Sequence, residues 1–127
     1  MTNALVIDDT RMTADSLVRV LKALNIQARA AYGPGPGMGI LQMETPDVVF
    51  LDINMPGVSG FEILSFLSRE PRLAKVPVFV VTSDDQPETI KHAMDGGAVA
   101  EVMDIRLIGQ HLDAVNPEES ARHEQID

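Results

Sequence analysis

Pro46-Asp-Val-Val-Phe-Leu-Asp52 sets a run of four apolar residues, Val48–Leu51, between a turn-forming segment and an aspartate. A run so short and so rich in β-branched and aromatic side chains, with no polar residue alternating through it, suits a strand buried on both faces of a parallel sheet. Two runs of the same kind flank it, Ala4–Ile7 (ALVI) and Val78–Val81 (VFVV). Gln27–Ala31 and Ala100–Met103 are weaker strand candidates and belong at the sheet edges. Helical patterns fill the gaps. Leu17, Val20, Leu21 and Leu24 share one stripe, and Asn25 supplies a left-handed stop. Ser59 and Glu62 have capping-box spacing ahead of Ile63, Leu64 and Leu67. Asp85 or Gln86 before Pro87 opens a further helix, with Ile90, Ala93 and Met94 inward and Gly96–Gly97 at its end. Ile108, Leu112 and Val115 mark a last one, closed by Asn116–Pro117.

Gly33-Pro-Gly-Pro-Gly37 is the exception to this regularity. Pro36 can begin a helix, but Gly37 and Gly39 each cost it ~1 kcal/mol, so a short, loose second helix is expected. The alternation of strands and single-striped helices implies an α/β fold, a parallel sheet between helical layers joined by right-handed crossovers. With 127 residues the chain has length for one domain, expected over residues 1–116, followed by a polar tail or linker remnant at 117–127.

Composition narrows the chemistry. Apolar residues make up 45% and charged residues 23%, a globular balance. There is no cysteine, which excludes disulfides, thiolate metal sites and cysteine nucleophiles. A net charge of −9 is a poor match for a phosphate backbone, so direct nucleic-acid binding is not expected. No apolar run approaches the ~20 residues that span a bilayer, and the N-terminus lacks the basic flank of a signal peptide. A soluble cytoplasmic domain is the expectation.

In open α/β sheets, ligands bind beyond the carboxyl ends of the strands. The first strand ends in Asp8–Asp9, the third in Asp52 and the fourth in Thr82–Ser83. With strand order 2-1-3-4-5 these side chains converge on one rim. Three adjacent carboxylates repel unless a cation holds them, and an all-oxygen ligand set favours a hard ion, Mg²⁺ or Mn²⁺. A metal beside a carboxylate and a hydroxyl suits phosphoryl chemistry. Each acid taken singly is as well explained by helix capping; the set on one rim is not. His92, His111 and His123 have no ligand spacing and read as surface residues, and the seven Met residues read as core filler.

The ordered set Leu5-Val-Ile-Asp-Asp9, Pro46 through Glu62 (PDVVFLDINMPGVSGFE), Val76-Pro-Val-Phe-Val-Val-Thr-Ser83 and Gly97–Ala98 resembles the receiver domains of two-component response regulators, from Asn3 to about Val115. The resemblance implies a flavodoxin-like (βα)5 sandwich. It also implies a phosphoryl group accepted on Asp52 from a histidine kinase or phosphotransfer protein, and a switched interface for a downstream protein. Asp8, Asp9, Asp52 and the main-chain carbonyl of Asn54 look like the Mg²⁺ ligands. Thr82 looks like the hydroxyl that meets the phosphoryl group, and Ser83 keeps its neighbouring position small. Such a domain is a signalling module and not an enzyme beyond its own phosphorylation and dephosphorylation.

Two positions depart from that pattern. Where the family carries a Lys after the fifth strand, counting from Gly97–Ala98 gives Asp104, and three residues earlier the usual aromatic is Glu101. Arg106 is the nearest cation in sequence on the same side of an extended chain. The departures keep a second reading open: a pseudo-receiver that binds a partner without phosphoryl transfer. A phosphatase using Asp52 as nucleophile is disfavoured, because Asn54 cannot act as its acid or base.

Overall fold

A computed structural model describes residues 2–53, 55, 60–81, 91–92, 94–98 and 100–102, the last three by their backbone alone. Its strands are β1 (Asn3–Ile7), β2 (Gln27–Ala31), β3 (Val48–Leu51), β4 (Val78–Val81) and β5 (Ala100–Val102), and its helices are α1 (Arg11–Ala23), α2 (Pro34–Met43) and α3 (Gly60–Arg69). The five strands form one parallel sheet in the order β2-β1-β3-β4-β5. The three apolar runs hold its centre and the two weaker strands its edges, as their sequences require. All four residues of β3 are buried, while β2 alternates between exposed and half-buried positions until Ala31.

Each face of the sheet carries its own core. Leu5, Ile7, Val49, Leu51, Val78 and Val80 pack against Leu41 of α2 and against Ile63, Leu64 and Leu67 of α3. On the opposite face Ala4, Val6, Val48, Phe50 and Phe79 meet Ala14, Leu17 and Leu21 of α1, with the Phe50 and Phe79 rings stacked at 5.3 Å. Alternate residues of each central strand therefore serve opposite cores, which is why these strands read as unbroken apolar runs. Asn25 ends α1 with φ 64°, the left-handed conformation that asparagine tolerates.

The second helix begins at Pro34 and not at Pro36. Gly33 adopts φ 118°, and Pro34, with no N–H to satisfy, takes the first helical position. Gly37 lets the helix approach the sheet. A Cβ there would lie 2.9 Å from the Ile7 side chain, so this glycine offsets part of its propensity cost by close packing. Gly39 has no such neighbour.

Lys91, His92, Met94 and Asp95 have helical backbone and Gly97 follows with φ 110°, matching the helix and stop expected there. Met94, expected inward, is 44% exposed; Ala98 fills the core just beyond the glycine pair instead. The capping Ser59, the start of that helix, Met103, the helix expected at Ile108–Val115 and the tail lie outside the described residues. No helix among those described is long and apolar enough to cross a membrane.

Candidate metal and phosphoryl site

Asp8 and Asp52 each extend a strand by one residue beyond the sheet. The Asp8 N–H donates to Ala31 O of β2 at 3.1 Å, and the Asp52 N–H donates to Ile7 O of β1 at 2.9 Å. With Ile7 and Leu51 in register, the two aspartates emerge side by side at the carboxyl rim. Asp9 follows in the turn before α1. One carboxylate oxygen from each of Asp8, Asp9 and Asp52 lies within 4.8 Å of the others. The three acids singled out from the sequence are therefore brought together.

Their environments differ. Asp9 is exposed and Asp52 half-buried, while Asp8 is the only buried charged side chain among the described residues. The Thr10 N–H donates to Asp8 Oδ1 at 2.9 Å, tying the carboxylate to the turn that starts α1. Burial pushes the Asp8 carboxyl up to about 6; the Thr10 bond opposes this, and the Asp52 and Asp9 carboxylates reinforce it. A buried acid facing two more acids, with the Thr10 N–H opposing the resulting shift, is the electrostatic situation that a divalent cation relieves. The donors are all carboxylate oxygens, so the residues present fit Mg²⁺ or Mn²⁺ better than a softer ion.

The chain after Asp52 is anchored rather than free. Ile53 and Met55 are buried in the core beneath it. Gly60 opens α3 against the same backbone. Its N–H donates to Ile53 O at 3.1 Å, and a Cβ at this position would stand 2.5 Å from Asp52 O and Ile53 Cα. Only a residue without a Cβ fits, so Gly60 shapes the turn after Asp52. Sequence reasoning placed it merely inside a motif, because a tertiary approach of this kind leaves no local signal.

Asn54, Thr82, Ser83, Asp104 and Arg106 lie outside the described residues. Glu101 is in β5, paired with Val80 of β4, which puts it on the strand at the edge of the sheet. His92 is exposed, as expected, but not isolated: its ring stacks on Phe61 of α3 with centroids 3.9 Å apart and planes inclined by 16°. Nothing in the spacing of the two residues announced that contact. Farther along the rim, the Arg11 guanidinium sits 4.2 Å from the centre of the Tyr32 ring, whose hydroxyl donates to Asp15 at 2.6 Å.

The fold has counterparts in known proteins. The sequence model of the response regulator receiver domain matches residues 4–103. Protein PilH of Pseudomonas aeruginosa is 34% identical over 86 residues, which span 68% of this chain and 71% of PilH. Two-component response regulator ORR8 of Oryza sativa is 31% identical over 97 residues, 76% of this chain and 80% of that protein. Among solved structures, the signal receiver domain of a DNA binding response regulator from Colwellia psychrerythraea superposes with a TM-score of 0.84 at 25% identity, over 91% of this chain and 98% of that one. Chemotaxis response regulator CheY4 of Vibrio cholerae gives 0.82 at 20% identity over the same shares, a likeness of fold. By its matched sequence, its strand order and the carboxylates at its rim, the chain belongs to the receiver domain family of response regulators.

Proposed function

We propose that Asp52 is the acceptor of a phosphoryl group from a histidine kinase or phosphotransfer protein, and that the modification switches an interface for a downstream protein. The observation that carries this reading is the convergence of Asp8, Asp9 and Asp52 within 4.8 Å, with Asp8 buried. An Asp52 carboxylate oxygen attacks the phosphorus, the phosphorus–nitrogen bond of the donor phosphohistidine breaks, and its electron pair returns to the imidazole. Asp8, Asp9, Asp52 and the carbonyl of Asn54 would hold Mg²⁺, which when bound neutralises charge on the phosphoryl oxygens. Asp8 stays fixed by the Thr10 N–H, and Gly60 and Met55 keep the acceptor turn in place. Thr82 and Ser83 are assigned the phosphoryl-binding and switch positions by their place directly after β4. Residues 1–116 form the receiver and 117–127 a polar tail.

Asp104 and Glu101 favour a second reading, an interaction module that works without phosphorylation. A carboxylate in place of an ammonium turns an attraction for the phosphoryl dianion into a repulsion. Incubation with acetyl phosphate and Mg²⁺ followed by Phos-tag electrophoresis separates the two. A retarded band that is lost in Asp52→Asn supports the acceptor. A native protein that never shifts, yet still captures a partner, supports the interaction module.

A further inference from the structure

Among the described residues, the helix carrying His92 meets α3 near both ends of α3. At the far end of α3 the Ser68 hydroxyl donates to Gly96 O at 2.8 Å, and Gly97, with φ 110°, passes so near that a Cβ would lie 2.7 Å from Ser68 Oγ. At the near end the contact is the stack of Phe61 on His92. Phe61 directly follows Gly60, whose backbone is locked onto Asp52 and Ile53. A continuous path of contacts thus runs from the imidazole through the Phe61 ring and the Gly60 backbone to the acceptor.

We propose that His92 is a positioning residue for Asp52: its ring, stacked on Phe61, holds the start of α3 against the acceptor backbone. The assignment of Asp52 as acceptor rests on the function proposed above; the positioning itself does not. Its physical basis is a flat ring that supplies dispersion and offset-stacking attraction at one point, while the Ser68–Gly96 bond fixes the other end independently. What the position requires is a flat ring, not an imidazole. Because His92 is exposed, its replacement opens no core cavity.

The test compares His92→Ala with His92→Phe in the full chain. Amide exchange at Gly60, which donates to Ile53 O, reads the near end; exchange at Gly97, which donates to Met94 O, reads the far end. His92→Ala is expected to speed exchange at Gly60 by about threefold to tenfold, the size of one aromatic pair, with Gly97 unchanged. Labelling of Asp52 by acetyl phosphate should slow by a similar factor, and His92→Phe should restore both. Unchanged Gly60 exchange in His92→Ala, equal acceleration at both amides, or failure of the phenylalanine to restore Gly60 would each overturn the proposal. A native protein that does not label defeats the acceptor reading, while the exchange measurements still decide whether His92 positions the turn.

Discussion

The two sides of the carboxyl rim follow different rules. On β1 and β3 the acids are complete: Asp8, Asp9 and Asp52 stand within 4.8 Å of one another, and backbone bonds from Asp8, Thr10, Asp52 and Gly60 fix them there. On the β5 side no such set comes together among the described residues: Glu101 lies on the edge strand, and the expectation that Glu101 and Asp104 replace the family's aromatic and Lys rests on the sequence. If the proposed function holds, the contrast makes holding a cation and sensing a phosphoryl group separable tasks. The first needs only convergent oxygens at the centre of the sheet. The second, under the function proposed above, would use a positive charge and a ring at the sheet edge, where the resemblance puts Asp104 and Glu101.

Asp104→Lys would break the contrast most sharply. At an effective dielectric near 20 and about 4 Å, one unit-charge pair is worth up to about 4 kcal/mol, and a gain of even ~1.4 kcal/mol is a factor of ten in rate. Labelling of Asp52 by acetyl phosphate is therefore expected to rise at least about tenfold in this variant. Equal rates in native protein and variant mean that Arg106 or another cation already serves the pocket.

Gly60→Ala attacks the other side. Its Cβ would stand 2.5 Å from backbone atoms of Asp52 and Ile53, which no side-chain rearrangement relieves. Overpacking of this kind costs about 1–3 kcal/mol, so the urea midpoint should fall, and Asp52 labelling should fall with it as the acceptor turn is displaced. Gly39→Ala, in open space on α2, should be neutral or stabilising.

A smaller effect follows from the titration of Asp8. Its carboxyl is raised from the ordinary 3.8 to about 6 by burial, so between these values the folded chain binds more protons than the unfolded chain. Stability from this group is fully present below about pH 4 and is lost as pH rises through about 6. Asp8→Asn should remove that component of the slope. Millimolar Mg²⁺ should oppose the loss, because the cation binds the deprotonated form. Denaturation midpoints across this range, with and without Mg²⁺, measure both. A native profile that coincides with that of Asp8→Asn contradicts the burial of this acid.

The sequence was legible where a physical requirement is local. Val48–Leu51, Ala4–Ile7 and Val78–Val81 are buried on both faces and therefore show no alternation, so strand identity and central position follow together. Asn25 was readable because a left-handed helix stop selects few residues. The rim acids were readable because strand ends and strand order fix where side chains converge. The start of α2 was not, since Pro34 and Pro36 both suit a first helical position and the choice lies with the backbone of Gly33. Met94 sits on the apolar stripe of its helix yet is 44% exposed, while Ala98, beyond the glycine pair, is in the core. The Gly60 approach and the Phe61–His92 stack join residues that only the fold brings together.

That the three carboxylates act together as a cation site for the acceptor is tested most directly by thermal unfolding against Mg²⁺ concentration, in the native protein and in the Asp9→Ala/Asp52→Ala double variant. Binding to the folded state alone stabilises by about 1.4 kcal/mol when Mg²⁺ reaches ten times its Kd, a rise of a few degrees in Tm for a domain of this size. The account predicts that rise in the native protein at millimolar Mg²⁺ and its loss in the double variant. A native Tm indifferent to Mg²⁺, or one that still climbs in the double variant, would contradict it.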